Sequence, residues 1–185
     1  MAQRITFAGD SIVHGGPWQE WLPDYAVTNF AVPGHTTSDL NELSDAIVES
    51  KPQLLIVMIG TNDFGKYRLS EGEVIQNVLT QIRKLRALLP DTPIIWSSLS
   101  PRSDEFSESM VAVNAAIKPV IEGLEMTYLD VFTLLKDPEK NVIERVYCED
   151  PDSFGLHLTR SGYQAWFVAL APLISQILRR DPFNG

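Results

Sequence analysis

The sequence predicts an α/β fold, a doubly wound sandwich built on a five-stranded parallel sheet. Five short apolar runs alternate with segments of helical period, the pattern of parallel strands joined by right-handed crossovers. One run, Leu54-Leu55-Ile56-Val57-Met58-Ile59, is apolar at every position, as suits a central strand covered on both faces. With 185 residues, 44% apolar and 21% charged, the chain can bury roughly 70% of its extended surface around one core. Residues 1–185 are therefore read as a single domain.

The first strand is expected at residues 5–8 and the second at 26–32. Between them Pro17 opens a short turn that carries Trp18 and Trp21 at helical spacing. Thr37 or Ser38 caps a helix bearing Leu40, Leu43, Ile47 and Val48, which stops before Pro52. After the third strand at 54–59, Ser70-Glu71-Gly72-Glu73 starts a helix as a capping box. It runs to residue 89 with Val74, Val78, Ile82, Leu85 and Leu89 on one stripe. A fourth strand at 94–97 leads to a helix over 104–122 with Met110, Val113, Ile117 and Ile121 on one face. Pro119 should kink or shorten it. The fifth strand is read at 126–131 and the last helix at 161–180, with a bend at Pro172.

Fifteen Lys and Arg against 24 Asp and Glu leave a net charge of −9 and no basic run. That balance argues against a nucleic acid partner. Cys148 is the single cysteine, so neither an intrachain disulfide nor a paired-cysteine metal site can form. No apolar stretch is long enough for a signal sequence or a membrane span. A cytoplasmic protein is expected, and composition leaves its oligomeric state open.

In doubly wound folds ligands bind beyond the carboxyl ends of the strands, so those positions carry the functional reading. Gly9-Asp10-Ser11-Ile12-Val13-His14-Gly15-Gly16 follows the first strand. A Walker loop fails there because His14 and Gly15 stand where Gly and Lys are needed. The dinucleotide pattern fails at Ser11 and His14, and the nucleophile elbow fails at Val13. What remains is a serine entering a helical turn, either as its cap or as a nucleophile whose surroundings favour developing negative charge. Gly34 follows Pro33 past the second strand, as a tight turn or as a backbone donor facing a ligand oxygen. Asn62, in Gly60-Thr61-Asn62-Asp63 after the third strand, is a turn former or an uncharged oxyanion donor. His157 precedes the last helix, while His14 and His35 also fall in strand-end loops and compete as base.

Gly9-Asp10-Ser11, Gly34, Gly60-Thr61-Asn62-Asp63 and His157 resemble, in order and separation, the four blocks of the SGNH or GDSL hydrolases. The resemblance spans nearly the whole chain and implies a flavodoxin-like three-layer α/β/α sandwich, the SGNH hydrolase fold. It implies Ser11 as nucleophile, His157 as general base, and an oxyanion hole made of the Ser11 and Gly34 N–H groups with the Asn62 amide. The family pattern has an aspartate three residues before the histidine, where this chain has Phe154. Asp152, five residues before, is the expected orienting acid, reached through a bulge at Ser153-Phe154-Gly155 and preferred to Asp150 or Glu149. A backbone carbonyl, leaving a Ser-His dyad, is the alternative.

The expected activity is serine-dependent hydrolysis of small or short-chain acyl esters through an acyl-enzyme, with no cofactor and no metal. An acyltransferase and a non-catalytic binding module on the same scaffold are the rival readings. Trp18, Trp21, Phe64 and Tyr67 follow the motifs closely. They are candidate walls of the acyl or alcohol pocket, with packing as the alternative. No long insertion follows any strand, which favours an open site.

Overall fold

The computed structural model describes residues 2–179. Its strands are β1 (Arg4–Gly9), β2 (Ala26–Asn29), β3 (Leu54–Met58), β4 (Ile94–Ser97) and β5 (Thr127–Leu129). All neighbours pair in parallel in the order β2-β1-β3-β4-β5, the flavodoxin-like arrangement. β3 lies in the middle with every residue buried, as its uninterrupted apolar run requires. The chain steps from β1 to one side and returns past it to β3. The crevice beyond the carboxyl ends of β1 and β3 is thus the topological switch point, where such folds place ligands.

Helices α1 (Ser11–His14) and α2 (Trp18–Trp21) fill the first crossover, and α3 (Thr37–Glu42) and α4 (Ser44–Glu49) the second. The third holds α5 (Thr61–Tyr67) and α6 (Glu71–Leu88), and the fourth α7 (Ser107–Gly123). After β5 come α8 (Val131–Leu135) and α9 (Arg160–Arg179). α6 packs between α3 and α7, while α9 packs on α8 and β3. Trp18 of α2 stacks on Phe7 of β1 at 4.7 Å and meets Trp166 of α9 edge-on at 5.1 Å. Helices on both sides of the sheet complete the three-layer α/β/α sandwich.

Local hydrogen bonding explains where the elements depart from the sequence reading. Thr36 caps α3 instead of Thr37 or Ser38, because its N–H and hydroxyl both donate to the Asp39 carboxylate at 2.8 Å. The expected single helix breaks at Leu43, where the Ser44 hydroxyl bonds back to the carbonyls of Leu40 and Asn41 and competes with the helical ladder. β2 ends at Asn29, whose side chain accepts the Ala31 N–H at 3.0 Å. Asp104 accepts from Arg102 and from the Phe106 N–H, so α7 starts later, at Ser107. Pro119 and Pro172 lie within α7 and α9 without ending either. The predicted end of the last helix at position 180 lies outside the described residues.

Candidate active site

Ser11 is the first residue of α1, immediately past β1. The preceding Asp10 has extended backbone and is fully buried, and its carboxylate accepts the Ile12 N–H at 3.0 Å, capping the turn. The core braces this turn from below. The Trp18 indole donates to the Val13 carbonyl at 2.7 Å, and the Tyr163 hydroxyl of α9 donates to the Ile12 carbonyl at 2.9 Å. Burial, helped by the nearby Asp63, pushes Asp10 up to about 7 against the pull of the Ile12 N–H and the Arg102 charge.

Gly34 sits third in the turn Val32-Pro33-Gly34-His35, closed by His35 N–H donating to the Val32 carbonyl at 3.1 Å. Its φ of +80° is the type II geometry that Pro then Gly supplies. Nothing lies within 4 Å of where a Cβ would stand; the dihedral, and not crowding, calls for glycine. Asn62 donates from Nδ2 to the His35 carbonyl at 2.9 Å. One amide hydrogen is thereby anchored and a second left to donate.

The first three residues of α5 are tied in this way, each to a different partner. Thr61 accepts from Arg102 Nη1 through both its carbonyl and its hydroxyl, each at 2.9 Å. Asp63 accepts from the Thr37 N–H at 3.1 Å and the Thr37 hydroxyl at 2.5 Å. Burial nevertheless raises the Asp63 carboxyl above its ordinary value.

His157 comes from a hairpin. Cys148 and Leu158 form an antiparallel bridge, the Glu149 N–H donates to the His157 carbonyl at 2.9 Å, and the Thr159 N–H donates to the Tyr147 carbonyl at 2.9 Å. This pairing sets Asp150 beside His157 across the hairpin. Asp150 Oδ1 accepts the N–H groups of Leu156 and His157, both at 2.9 Å, and Oδ2 lies 3.4 Å from His157 Nδ1. His157 Nε2 is in turn 3.4 Å from Ser11 Oγ. Burial opposes the Asp150 charge, but the two backbone N–H groups, the Cys148 thiol and the His157 ring outweigh it and hold the carboxyl below its ordinary value.

The acid expected from the sequence is corrected here. Asp152 lies on the protruding turn, 81% exposed, and pairs with Arg145 at 2.8 and 3.1 Å. The carboxylate at His157 Nδ1 belongs to Asp150. The reason is the fold-back itself: the Ser153 and Gly155 N–H groups both return to the Asp150 carbonyl at 3.0 Å, so the residues between 150 and 155 bulge away from the imidazole. Gly155, at φ +58°, closes the turn, and Ser103 N–H holds the Phe154 carbonyl at 3.1 Å.

The other sequence candidates separate cleanly. His14 Nδ1 is spent on the Ala31 carbonyl at 2.9 Å, and His35 supplies only its carbonyl to Asn62. Trp18 and Phe64, read as candidate pocket walls, are core residues at 2% and 1% exposure. Trp21 packs on Phe167 at 5.1 Å, and Tyr67 is half-exposed. Arg102, buried against Thr61, carries no motif signal at all. Among the described residues, no group of three His, Cys, Asp or Glu side chains is placed to hold a metal ion. A concavity of about 770 Å³ lies at the opposite, amino end of the strands, around Pro52, Arg86, Thr92 and Leu178. Its lining holds neither serine nor histidine among the described residues.

Fold and site together define a flavodoxin-like α/β/α scaffold with a serine, a histidine and an aspartate in line at its switch point. The chain belongs to the GDSL-like Lipase/Acylhydrolase family, whose profile matches residues 7–165. It is 26% identical over 185 residues to the platelet-activating factor acetylhydrolase IB subunit beta homolog of Drosophila melanogaster, covering 96% of this chain and 80% of that protein. The platelet-activating factor acetylhydrolase IB subunit alpha2 of Gallus gallus is also 26% identical, over 190 residues, covering 96% of this chain and 79% of that protein. A GDSL-like lipase from Bacteroides thetaiotaomicron superposes with a TM-score of 0.78 at 18% identity, covering 94% of this chain and 88% of its own. A lipase/acylhydrolase from Enterococcus faecalis gives 0.72 at 18% identity, over 94% and 96%. Among the described residues no helix is long and apolar enough to cross a membrane.

Proposed function

We propose that the protein is a serine carboxylic ester hydrolase acting on small or short-chain acyl esters, acetyl esters foremost. The observation that carries the reading is the line from Asp150 Oδ2 through the His157 ring to Ser11 Oγ, with both gaps at 3.4 Å. Contacts of this length shorten to about 2.6–3.2 Å as charge develops.

In this mechanism His157 Nε2 takes the Ser11 proton as Oγ bonds to the ester carbonyl carbon. The Ser11 N–H, the Gly34 N–H and the free Asn62 amide hydrogen hold the oxyanion. The carbon–oxygen bond to the alcohol breaks as His157 returns the proton to the leaving oxygen. Water, deprotonated by His157, then attacks the acyl-enzyme, and the acid departs with Ser11 reprotonated. Asp150 keeps Nδ1 protonated and steadies the imidazolium.

Two observations support a short acyl group. Trp18 and Phe64, the aromatic side chains that closely follow the first and third motifs, are taken up by the core and are not available to line a long acyl pocket. The fly and chicken relatives are named for acetyl hydrolysis. A cytoplasmic setting belongs to the same proposal and rests on the single, unpaired Cys148. The test is a p-nitrophenyl ester series from acetate to octanoate. Turnover should be highest for acetate, and Ser11→Ala should lower kcat by as much as about 10⁶-fold, the size of the loss when subtilisin loses its serine. A parent without ester turnover, or a Ser11→Ala variant as active as the parent, overturns the reading.

A further inference from the structure

Arg102 stands just beyond β4 at 3% exposure, outside every motif that marks the site. Its guanidinium spans two loops. Nε donates to Asp104 Oδ1 at 3.0 Å and Nη2 pairs with Asp104 Oδ2. Nη1 donates at 2.9 Å to both the carbonyl and the hydroxyl of Thr61. Asp104 is fixed in turn by the Phe106 N–H at 3.2 Å. The Phe106 ring lies 5.2 Å from the guanidinium and 5.3 Å from Phe64 of α5. Burying a charge is costly, and an apolar side chain of similar size would often serve stability as well. An arginine offers instead a rigid fork that fixes several acceptors at once.

The acceptors it fixes belong to the residue immediately before Asn62. We propose that Arg102 is a positioning residue for the oxyanion donor: by clamping Thr61 it sets where α5 begins and hence where the Asn62 amide stands. Asn62 is then located from two sides, through its own Nδ2 on the His35 carbonyl and through its backbone by way of Thr61. The inference rests on the ester hydrolase reading, because only a reaction that develops an oxyanion makes the amide's place matter.

A double-mutant cycle on p-nitrophenyl acetate tests it. Arg102→Met should lower kcat by about 10- to 100-fold, the cost of a displacement near 1 Å, with KM within about threefold. In the Asn62→Ala background the same change should cost less than about threefold, because coupled residues are non-additive. Arg102→Lys, keeping the charge but not the fork, should recover only part of the loss. Because deleting a buried guanidinium can cost the fold, Thr61→Val provides a second arm. It removes only the hydroxyl acceptor and should lower kcat severalfold in the parent and not in Asn62→Ala. Equal losses in both backgrounds, tracking the melting temperature, would mean that Arg102 merely stabilises the fold. If the parent is inactive, the hydrolase reading fails as well; if the parent is active but Asn62→Ala leaves kcat unchanged, Asn62 is no oxyanion donor and the Arg102 proposal falls while the hydrolase reading stands. An additive cycle in an active, Asn62-dependent enzyme overturns the Arg102 proposal alone.

Discussion

Ser11 and Asn62 stand directly beyond β1 and β3, strands sealed in the core, whereas His157 and Asp150 hang on a hairpin whose histidine side chain is 48% exposed. On the strand side, position is enforced from beneath by Trp18 and Tyr163 and from the flanks by Arg102, His35 and Thr37. On the hairpin side it comes from a few backbone bonds and from Asp150, which accepts two N–H groups while facing the imidazole. The lesson is a division of labour. On the proposed mechanism, oxyanion donors must not reorganise during reaction and sit on turns and helix starts braced against the core beyond the strands, while the proton carrier is held by a loop that needs only one well-anchored carboxylate.

The contrast can be broken most forcefully at Asp150. Asp150→Asn should lower kcat by about 10³–10⁴-fold with the fold retained, because the amide cannot enforce the Nδ1–H tautomer; circular dichroism and ester kinetics on the same preparation check it. If the loss is small, the hairpin contributes no orienting acid and a Ser-His dyad operates.

Next comes the buried cap on the strand side. Asp10 is held at about 7 when folded against 3.8 ordinarily. The folded state therefore keeps a proton that the unfolded chain releases. Its stabilising contribution is complete below about pH 4 and is lost as pH climbs to about 7, on the order of 4 kcal/mol for three pH units at 1.36 kcal/mol each. Denaturant melts of parent and Asp10→Asn across pH 4–8 should diverge by that pH-dependent amount, the parent falling relative to the variant. Parallel curves would contradict the shift.

Asn62→Ala should cost about 3–4 kcal/mol of transition-state stabilisation, seen as a drop in kcat with KM little changed. A change confined to KM would remove Asn62 from the oxyanion hole. The smallest effect sharpens the comparison within the hairpin: Asp152→Asn alters only a solvent-exposed pair with Arg145, which solvent screens, and kinetics should stay close to the parent's.

The same division explains what the sequence made legible. Strands are marked by runs of apolar residues, and ligands of such folds bind beyond the carboxyl ends of the strands, so Ser11, Gly34 and Asn62 could be read one at a time. His157 was legible from its place before α9 and from the family resemblance. Its partner was not. Whether residue 150 or 152 faces the ring depends on which residues close the hairpin, and the Cys148–Leu158 bridge and the returns of Ser153 and Gly155 to Asp150 have no period in the sequence. α5 and α8 are too short to show one. Arg102 escaped for a related reason: a buried arginine is defined by its acceptors, and Thr61 is 41 residues away.

The most direct test of the account is covalent labelling with a fluorophosphonate, read by peptide mass spectrometry over time. One adduct is expected, on the peptide containing Ser11, forming far more slowly in Asp150→Asn and at the parent rate in Asp152→Asn. An adduct elsewhere, none at all, or equal rates in the parent and Asp150→Asn would contradict it.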